Sequence, residues 1–195
     1  MSRRIDSIIQ TAEKLFSENG FVATSMRDIA RSEGIEVASL YSHINSKDEL
    51  LEKICFRIAD EFITAIHEVN DIYFNAEEKL RMAVRLHVNI ITRDLDASKV
   101  FLKEWRHLKE PRLSEFKKLR HEYEDGFRRI LINGENENVF ETHDKKFAVL
   151  TILSALNWIT EWYRTDGNMT PDEIADHLTD FILSGLKVKS SVESK

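Results

Sequence analysis

The stretch SMRDIARSEGIEVASLYSHINSKDELL, residues 25–51, restricts this part of the chain to short helices joined by tight turns. Ser25 followed three residues later by Asp28 is a capping box, and it opens a helix whose Met26, Ile29 and Ala30 share one face. Gly34 stands where that helix must stop, because a left-handed C′ residue costs glycine no Cβ clash. Ile35 returns to the core, and Val37, Leu40, Tyr41 and Ile44 recur at helical spacing. Ser46 with Glu49 forms a second box that starts the next helix at once. Upstream, Ile5, Ile8, Ile9, Ala12, Leu15 and Phe16 make one apolar stripe, Asn19-Gly20 ends it, and Phe21 and Val22 tuck back beneath. The pattern predicts a three-helix unit with a glycine turn between its second and third helices.

The last of these helices is barely two turns long and carries a small polar face of Ala38, Ser39, Ser42 and His43. Such a helix suits the major groove of DNA, where bulky side chains would hold the backbone away. A small bundle whose Gly34 turn merely connects helices has the same pattern. Charge does not decide between them. Residues 1–47 hold six Lys/Arg and six Asp/Glu, so the rest of the chain carries the whole net charge of −6. A neutral arm argues against non-specific coating of nucleic acid, which needs a strong basic field. Arg3, Arg4, Arg27 and Lys47 are its local positive points. Arg3 and Arg4 read equally as a solvated, frayed terminus or as DNA contacts.

With six glycines and two prolines in 195 residues, and no apolar/polar alternation of strand period, the chain reads as all-α. It is expected to have about nine helices: the three-helix arm and a larger helical body. In that body, residues 47–70 form one long helix suited to transmit motion, followed by a break near Asp71–Ala76. Helices are then predicted over 77–94, 98–108 and from Pro111 to about Asn133. Gly134–Val139 reads as a loop. The segment 143–164 is apolar nearly all round and must be covered on more than one side. Thr170-Pro171-Asp172-Glu173 combines a capping box with proline at the first helical position, starting a last helix over 171–186. The tail from Lys187 is expected to fray. Two consecutive apolar helices at this end predict a homodimer, in which 143–164 and 171–186 meet their symmetry mates, although a monomeric core pair has the same pattern.

Cys55 lies in an apolar run with Leu51, Ile54 and Ile58 and is expected to be packed inside. With no signal peptide and no apolar run of membrane-spanning length, the expected location is the cytoplasm, with no membrane partner. The acidic residues and histidines spread along helices as solvated faces. His121 and Asp125 have a spacing that could hold a metal, but a helix-surface pair needs no ion. No nucleotide loop or nucleophile elbow is present in the sequence, so neither an enzyme nor a cofactor or metal requirement is expected.

The segment GFVATSMRDIARSEGIEVASLYSHINSKDELL resembles the N-terminal DNA-binding arm of the TetR/AcrR family of bacterial regulators, and the likeness runs from about Ile5 to Leu51. Phe16, Gly20, Thr24, Ile29, Ala30, Gly34, Leu40, Tyr41, His43, Lys47 and Leu50 all fall on the family pattern. The resemblance implies a helix-turn-helix domain over 1–47 and a ligand-binding and dimerisation domain over 48–195. It implies that Thr24, Ser25 and Arg27 meet the backbone of a palindromic double-stranded operator. Ser39 and Ser42 would face base edges, Val37 and Ala38 would stand at the groove entrance, and Tyr41, His43 and Lys47 would hold phosphates. This chain departs from the pattern at Glu36, where a serine cap is commoner, and at Ile44, which replaces the usual phenylalanine. Base specificity is thereby left open.

In the body, FLKEWRHL (101–108), the helix through Arg120 and Tyr123, and LNWITEWYRTDGNMTPDEIA (156–175) resemble one C-terminal branch of the same family. Many members of that branch respond to acyl-CoA thioesters and control the breakdown of fatty acids, aromatic acids or steroids. The likeness implies an acyl-CoA-like effector. Trp105, Tyr123, Phe127, Leu153, Asn157 and Trp158 would line its apolar tunnel, and Arg106, Arg120, Arg128 and Arg164 would meet the nucleotide phosphates. The tryptophans serve equally well as core and dimer packing. Asn138 departs by replacing a common glycine, and Glu135 and Glu137 add charge beside it. The reading that follows is a homodimeric transcriptional repressor, released from DNA when the effector fixes its two arms at the wrong separation. A drug-responsive repressor of an efflux pump, and a ligand- or partner-binding helical dimer with a vestigial arm, are the alternatives.

Overall fold

The structure, a computed structural model, describes residues 3–186. The tail from Lys187, expected to fray, lies outside them. In chain order the helices are α1 (Arg3–Asn19), α2 (Met26–Ser32), α3 (Val37–Tyr41), α4 (Lys47–Asp71), α5 (Ala76–Arg93), α6 (Leu95–Lys103), α7 (Arg112–Asn136), α8 (Lys145–Asn157), α9 (Ile159–Trp162) and α10 (Pro171–Leu186), with a 3-10 turn at Trp105–His107. The all-α expectation holds. The chain forms two compact units: one built from the residues up to Glu61 with Arg93–Arg120, the other from Phe62–Thr92 with the residues from His121 onward.

In the first unit the predicted stripes become the core. Ile8, Ala12 and Phe16 of α1, Ile29 and Ala30 of α2, Leu40 of α3, and Leu50, Leu51, Ile54, Cys55 and Ile58 of α4 are all buried. Phe21 folds back edge-on against Phe16, with ring centroids 5.3 Å apart. Glu33 ends α2 and accepts hydrogen bonds from Ser7 (3.0 Å) and Thr11, so α2 is tied to α1 by a carboxylate as well as by packing. Around Phe116 of α7 gather Phe56, Phe101 and Trp105, with centroids 5.4–5.8 Å away. A polar seam joins α1, α4 and the start of α6: Arg57 donates to Glu13 (2.8 Å) and to Asp94 (2.6 Å), the N-cap of α6, and Ser17 donates to Asp96 (2.5 Å).

The second unit packs on one face of α5 (Ala76, Leu80, Ala83, Val84, His87, Val88, Ile91) and on the inner faces of α8 and α10. Gly126 is required where α7 meets α4, since a Cβ there would lie 2.2 Å from Cγ1 of Ile66. Arg81 and Arg85 of α5 pair with Asp180 (3.1 Å) and Asp176 (2.6 Å) of α10.

Three boundaries differ from the sequence reading. The segment 134–139, expected as a loop, is in its first half helix, because α7 runs on to Asn136. Gly134 is there for contact rather than for a turn: the Phe140 ring lies where its Cβ would be. The turn itself is made by Asn138 at φ 58°, which explains why a glycine is tolerated at that place and asparagine substitutes for it. Glu135 and Glu137 also have structural work. Glu135 is held by Thr142 and Lys145 (2.6 Å), and Glu137 accepts from the Ala76 N–H (2.9 Å) at the start of α5. Second, the helix expected over 98–108 starts at Leu95 and gives way to the 3-10 turn. Third, the 143–164 segment starts at Lys145, capped by Asp144, and breaks slightly at Trp158, whose backbone stays right-handed.

Candidate nucleic-acid interface and effector residues

The helix-turn-helix is built by local chemistry. The Ser25 side chain accepts from the Asp28 N–H (3.2 Å) while Asp28 accepts from the Ser25 N–H (3.0 Å), closing the predicted capping box. The Ser25 hydroxyl, which donates to the same carboxylate (2.5 Å), and the Ser25 N–H together hold the Asp28 carboxyl below its ordinary range. Gly34 makes the turn at φ 66°, and Ile35 donates back to the Ala30 carbonyl (3.0 Å). Glu36 takes the N-cap position of α3 but its side chain makes no cap bond, and it is exposed. At the start of α4, Ser46 accepts from the Glu49 N–H (3.1 Å), whereas the Glu49 carboxylate reaches one residue further back, to both nitrogens of Asn45 (2.8 Å).

Of the residues expected at DNA, Ser25, Arg27, Ala38, Ser39, Tyr41, Ser42 and His43 are exposed and Val37 is half-buried, while Leu40 anchors α3 from beneath. Ser42 donates its hydroxyl hydrogen to the Ser39 carbonyl (2.7 Å), which leaves its oxygen lone pairs as acceptors. Two expected contacts sit differently. Thr24 is buried, and its hydroxyl is directed at the carbonyls of Gly20 (2.9 Å) and Leu15 (3.2 Å). The Lys47 ammonium donates to the carbonyls of Phe21 (2.6 Å) and Thr24 (2.8 Å) and lies 4.2 Å from the Phe21 ring centroid. Thr24 thus ties the α1–α2 turn to the end of α1, and Lys47 staples that turn to the start of α4.

The residues expected at an effector fall into two groups. In the first unit Trp105 is half-buried, stacked on Phe116, with the guanidinium groups of Arg106 and Arg120 4.7 and 4.8 Å from its ring. In the second unit Tyr123 and Phe127 meet edge to face at 5.4 Å, Phe127 is fully buried, and Asn157 is half-buried at the end of α8. Trp158 is 64% exposed. Arg128 is paired with Asp125, and His121 faces Glu124, so the His121–Asp125 spacing is not used as a pair.

Two family models match the chain. The one described as bacterial regulatory proteins, tetR family, covers residues 8–54, and the one described as tetracyclin repressor-like, C-terminal domain, covers 74–186. The chain belongs to the TetR family. It is a helix-turn-helix DNA-binding transcriptional regulator, as its arm leads one to expect. Among this family's curated members, the HTH-type transcriptional repressor KstR2 of Rhodococcus jostii is 26% identical over 187 residues, spanning 95% of this chain and 92% of that protein. Among solved structures, PfmR of Thermus thermophilus is 31% identical with a TM-score of 0.83, over 93% of this chain and 99% of its own. AibR, solved in complex with isovaleryl coenzyme A and operator DNA, is 26% identical with a TM-score of 0.81, over 92% and 97%.

Within this TetR-family body, one polar residue escaped the sequence reading. His87 of α5 is 2% exposed, its Nδ1 lies 2.9 Å from the Tyr123 hydroxyl, and its ring stacks obliquely on Phe62 at 4.8 Å. Burial lowers its pKa to about 3, only partly opposed by a hydrogen bond with the Asn157 side chain, so the imidazole is neutral. The signal was present: His87 occupies a position of the apolar stripe Leu80, Ala83, Val84, Val88, Ile91, where a polar ring needs a reason. Burial likewise raises the Tyr123 phenol above its ordinary range.

Proposed function

We propose that this protein is a homodimeric repressor that binds a palindromic operator through α3 and is released by an acyl-CoA-like effector. Residues 1–47 serve as the DNA-binding domain and 48–195 as the effector and dimerisation domain. The observation that carries the effector class is the likeness, along nearly the full length of both chains, to AibR, solved with isovaleryl coenzyme A and operator DNA. The composition of the body supports it, since it holds both the apolar side chains that an acyl chain needs and the cations that phosphates need.

At the DNA, Ser39 and Ser42 address base edges from the exposed face of α3, with Val37 and Ala38 beside them. Ser25, Arg27, Tyr41 and His43 meet phosphates. Thr24 and Lys47 act from beneath, by holding the turn that sets the pitch of α2 and α3. The dimer forms through α8 and α10, whose outer faces carry Phe147 and Phe181, 71% and 77% exposed in the single chain. Between these helices runs an apolar groove of about 710 Å³, lined by Phe147, Ile152, Phe181 and Ile182 among others. A dimer doubles the base contacts of a short, electrically neutral arm, which is what operator specificity requires. Among the described residues no helix is long and apolar enough to cross a membrane, in keeping with a regulator working at DNA in the cytoplasm.

Release requires the effector to bind the DNA-free conformation more tightly than the bound one. The test is an electrophoretic mobility shift of the operator upstream of the protein's own gene, titrated with short-chain, long-chain and aromatic CoA thioesters. Loss of the shifted band with at least one class is expected. A band that survives every thioester would remove the effector assignment while leaving the DNA-binding one.

A further inference from the structure

The acidic residues over 25–49 are taken up by the arm's own structure, with one exception. Asp28 accepts from Ser25 (3.0 Å), Glu33 from Ser7 (3.0 Å), Asp48 from Lys109 (2.8 Å) and Glu49 from Asn45 (2.8 Å). Glu36 is exposed and makes no hydrogen bond or ion pair among the described residues. A serine, threonine, aspartate or asparagine in its place would cap α3, and a fixed negative charge on a helix that meets DNA is repelled by the phosphates. Helix-turn-helix proteins contact base edges with the first residues of the recognition helix. Here these are Glu36, Val37 and Ala38, and only Glu36 among them has a polar side chain. Residues 36–43 hold no Lys, Arg, Asn or Gln, the side chains that read guanine and adenine by paired hydrogen bonds. A carboxylate accepts and never donates. In the major groove guanine shows it two acceptors, thymine an acceptor and a methyl group, adenine a donor beside an acceptor, and cytosine a donor alone. Cytosine is the base whose own edge meets a carboxylate without repulsion.

We infer that Glu36 is a specificity-determining residue, whose carboxylate accepts a hydrogen bond from the N4 amino group of a cytosine in each half-site of the operator. This rests on the docking of α3 in the major groove proposed above and adds to it the base that the helix selects. Docking strips water from the carboxylate, so a base without the N4 donor leaves the charge unpaired beside the phosphates. That loss on the wrong base, more than the strength of the one bond on the right base, supplies the discrimination.

The full-length protein is used to select duplexes from a randomised library, and affinities for the selected duplex and its single-base variants are read by fluorescence anisotropy. The wild type should require cytosine at one symmetric pair of positions, where exchange for another base weakens binding by about tenfold or more. At those positions Glu36→Ala should bind every base pair nearly alike. Glu36→Gln, whose amide both donates and accepts, should prefer adenine. The wild type also gives an answer that needs no variant. Placing 2-pyrimidinone, which lacks only the amino group, at the selected cytosine should weaken binding as an exchanged base does. A selected duplex with no such cytosine, wild-type binding indifferent to 2-pyrimidinone, or a Glu36→Ala protein with wild-type preferences overturns the role of Glu36 and leaves the docking of α3 standing. So does a uniform gain by Glu36→Ala on every duplex, because the carboxylate would then only repel phosphates. Failure to select any duplex overturns both.

Discussion

Glu13 and His87 have been moved by folding in directions that make opposite demands on pH. Burial pushes the Glu13 carboxyl up from 4.5 to about 7, with Asp94 and Asp96 adding to the rise and Arg57 opposing it. Between those values the unfolded chain has lost the proton while the native one keeps it, so stability falls as pH rises through the window. His87 runs the other way, from 6.5 down to about 3. Its contribution is complete above 6.5 and is lost as pH falls, because the unfolded imidazole takes a proton that the native one refuses. Thermal unfolding followed from about pH 4 to about pH 8 should therefore show Glu13→Gln with a smaller loss of Tm on the alkaline side. His87→Phe should show a smaller loss on the acid side. Curves parallel to the wild type for both variants would mean that neither group is as buried as its surroundings indicate. Residue identity also shows where reading from pattern stops. Thr24 and Lys47 stand at positions where the pattern requires their types, yet a pattern does not say which atom a side chain addresses. Here both address the carbonyls of the α1–α2 turn.

The helices of the arm are short, and their ends carry much of their stability. α2 has seven residues and α3 five, too few to persist without caps and packing. Removing the Ser25 hydroxyl (Ser25→Ala) should cost about 1 kcal/mol, read as a lowered urea midpoint with an unchanged slope. Gly34→Ala meets no neighbouring atom, so its cost is the left-handed backbone alone, roughly 1 kcal/mol, and operator affinity should fall with it. A Gly34→Ala protein of full stability would show that the turn had relaxed to another conformation. Asn138 does the same task at the end of α7, and Asn138→Val should be the more destabilising change because a β-branched residue resists φ 58°. The boxes at Ser25 and Thr170, the Ser46 cap and the turn at Gly34 were legible because their signals are local, although Glu49 closes on Asn45 rather than on Ser46. The length of α7 was not. Its Gly134 reads as a stop from sequence, and only the Phe140 ring packed against it shows that it is a contact glycine.

At the scale of the whole molecule, the proposed assembly is through the exposed face of α8 and α10. Phe147 and Phe181 line the same apolar groove and stand largely exposed in the single chain, as anchors of such an interface would. Phe147→Glu combined with Phe181→Glu should sediment as a monomer and lose operator binding steeply, since each half-site contributes alone too little. Persistence of the dimer would place the interface elsewhere. Charge belongs to this scale too. With the arm neutral and the net −6 carried by the rest, a monomer has little electrostatic hold on DNA, and binding should weaken in salt as expected for two small sets of phosphate contacts.

The sequence by itself determined the helices, their caps, the glycine turn and the family of the arm, because these depend on residues within about four positions of one another. Only the tertiary structure decided what the polar atoms do. His87 and Tyr123 are 36 residues apart, and Glu13 and Arg57 are 44 apart, so the surroundings that shift a buried group's pKa are supplied by chain that no local pattern can see. Burial is a property of the packed molecule, and with it the chemistry of every group that burial perturbs.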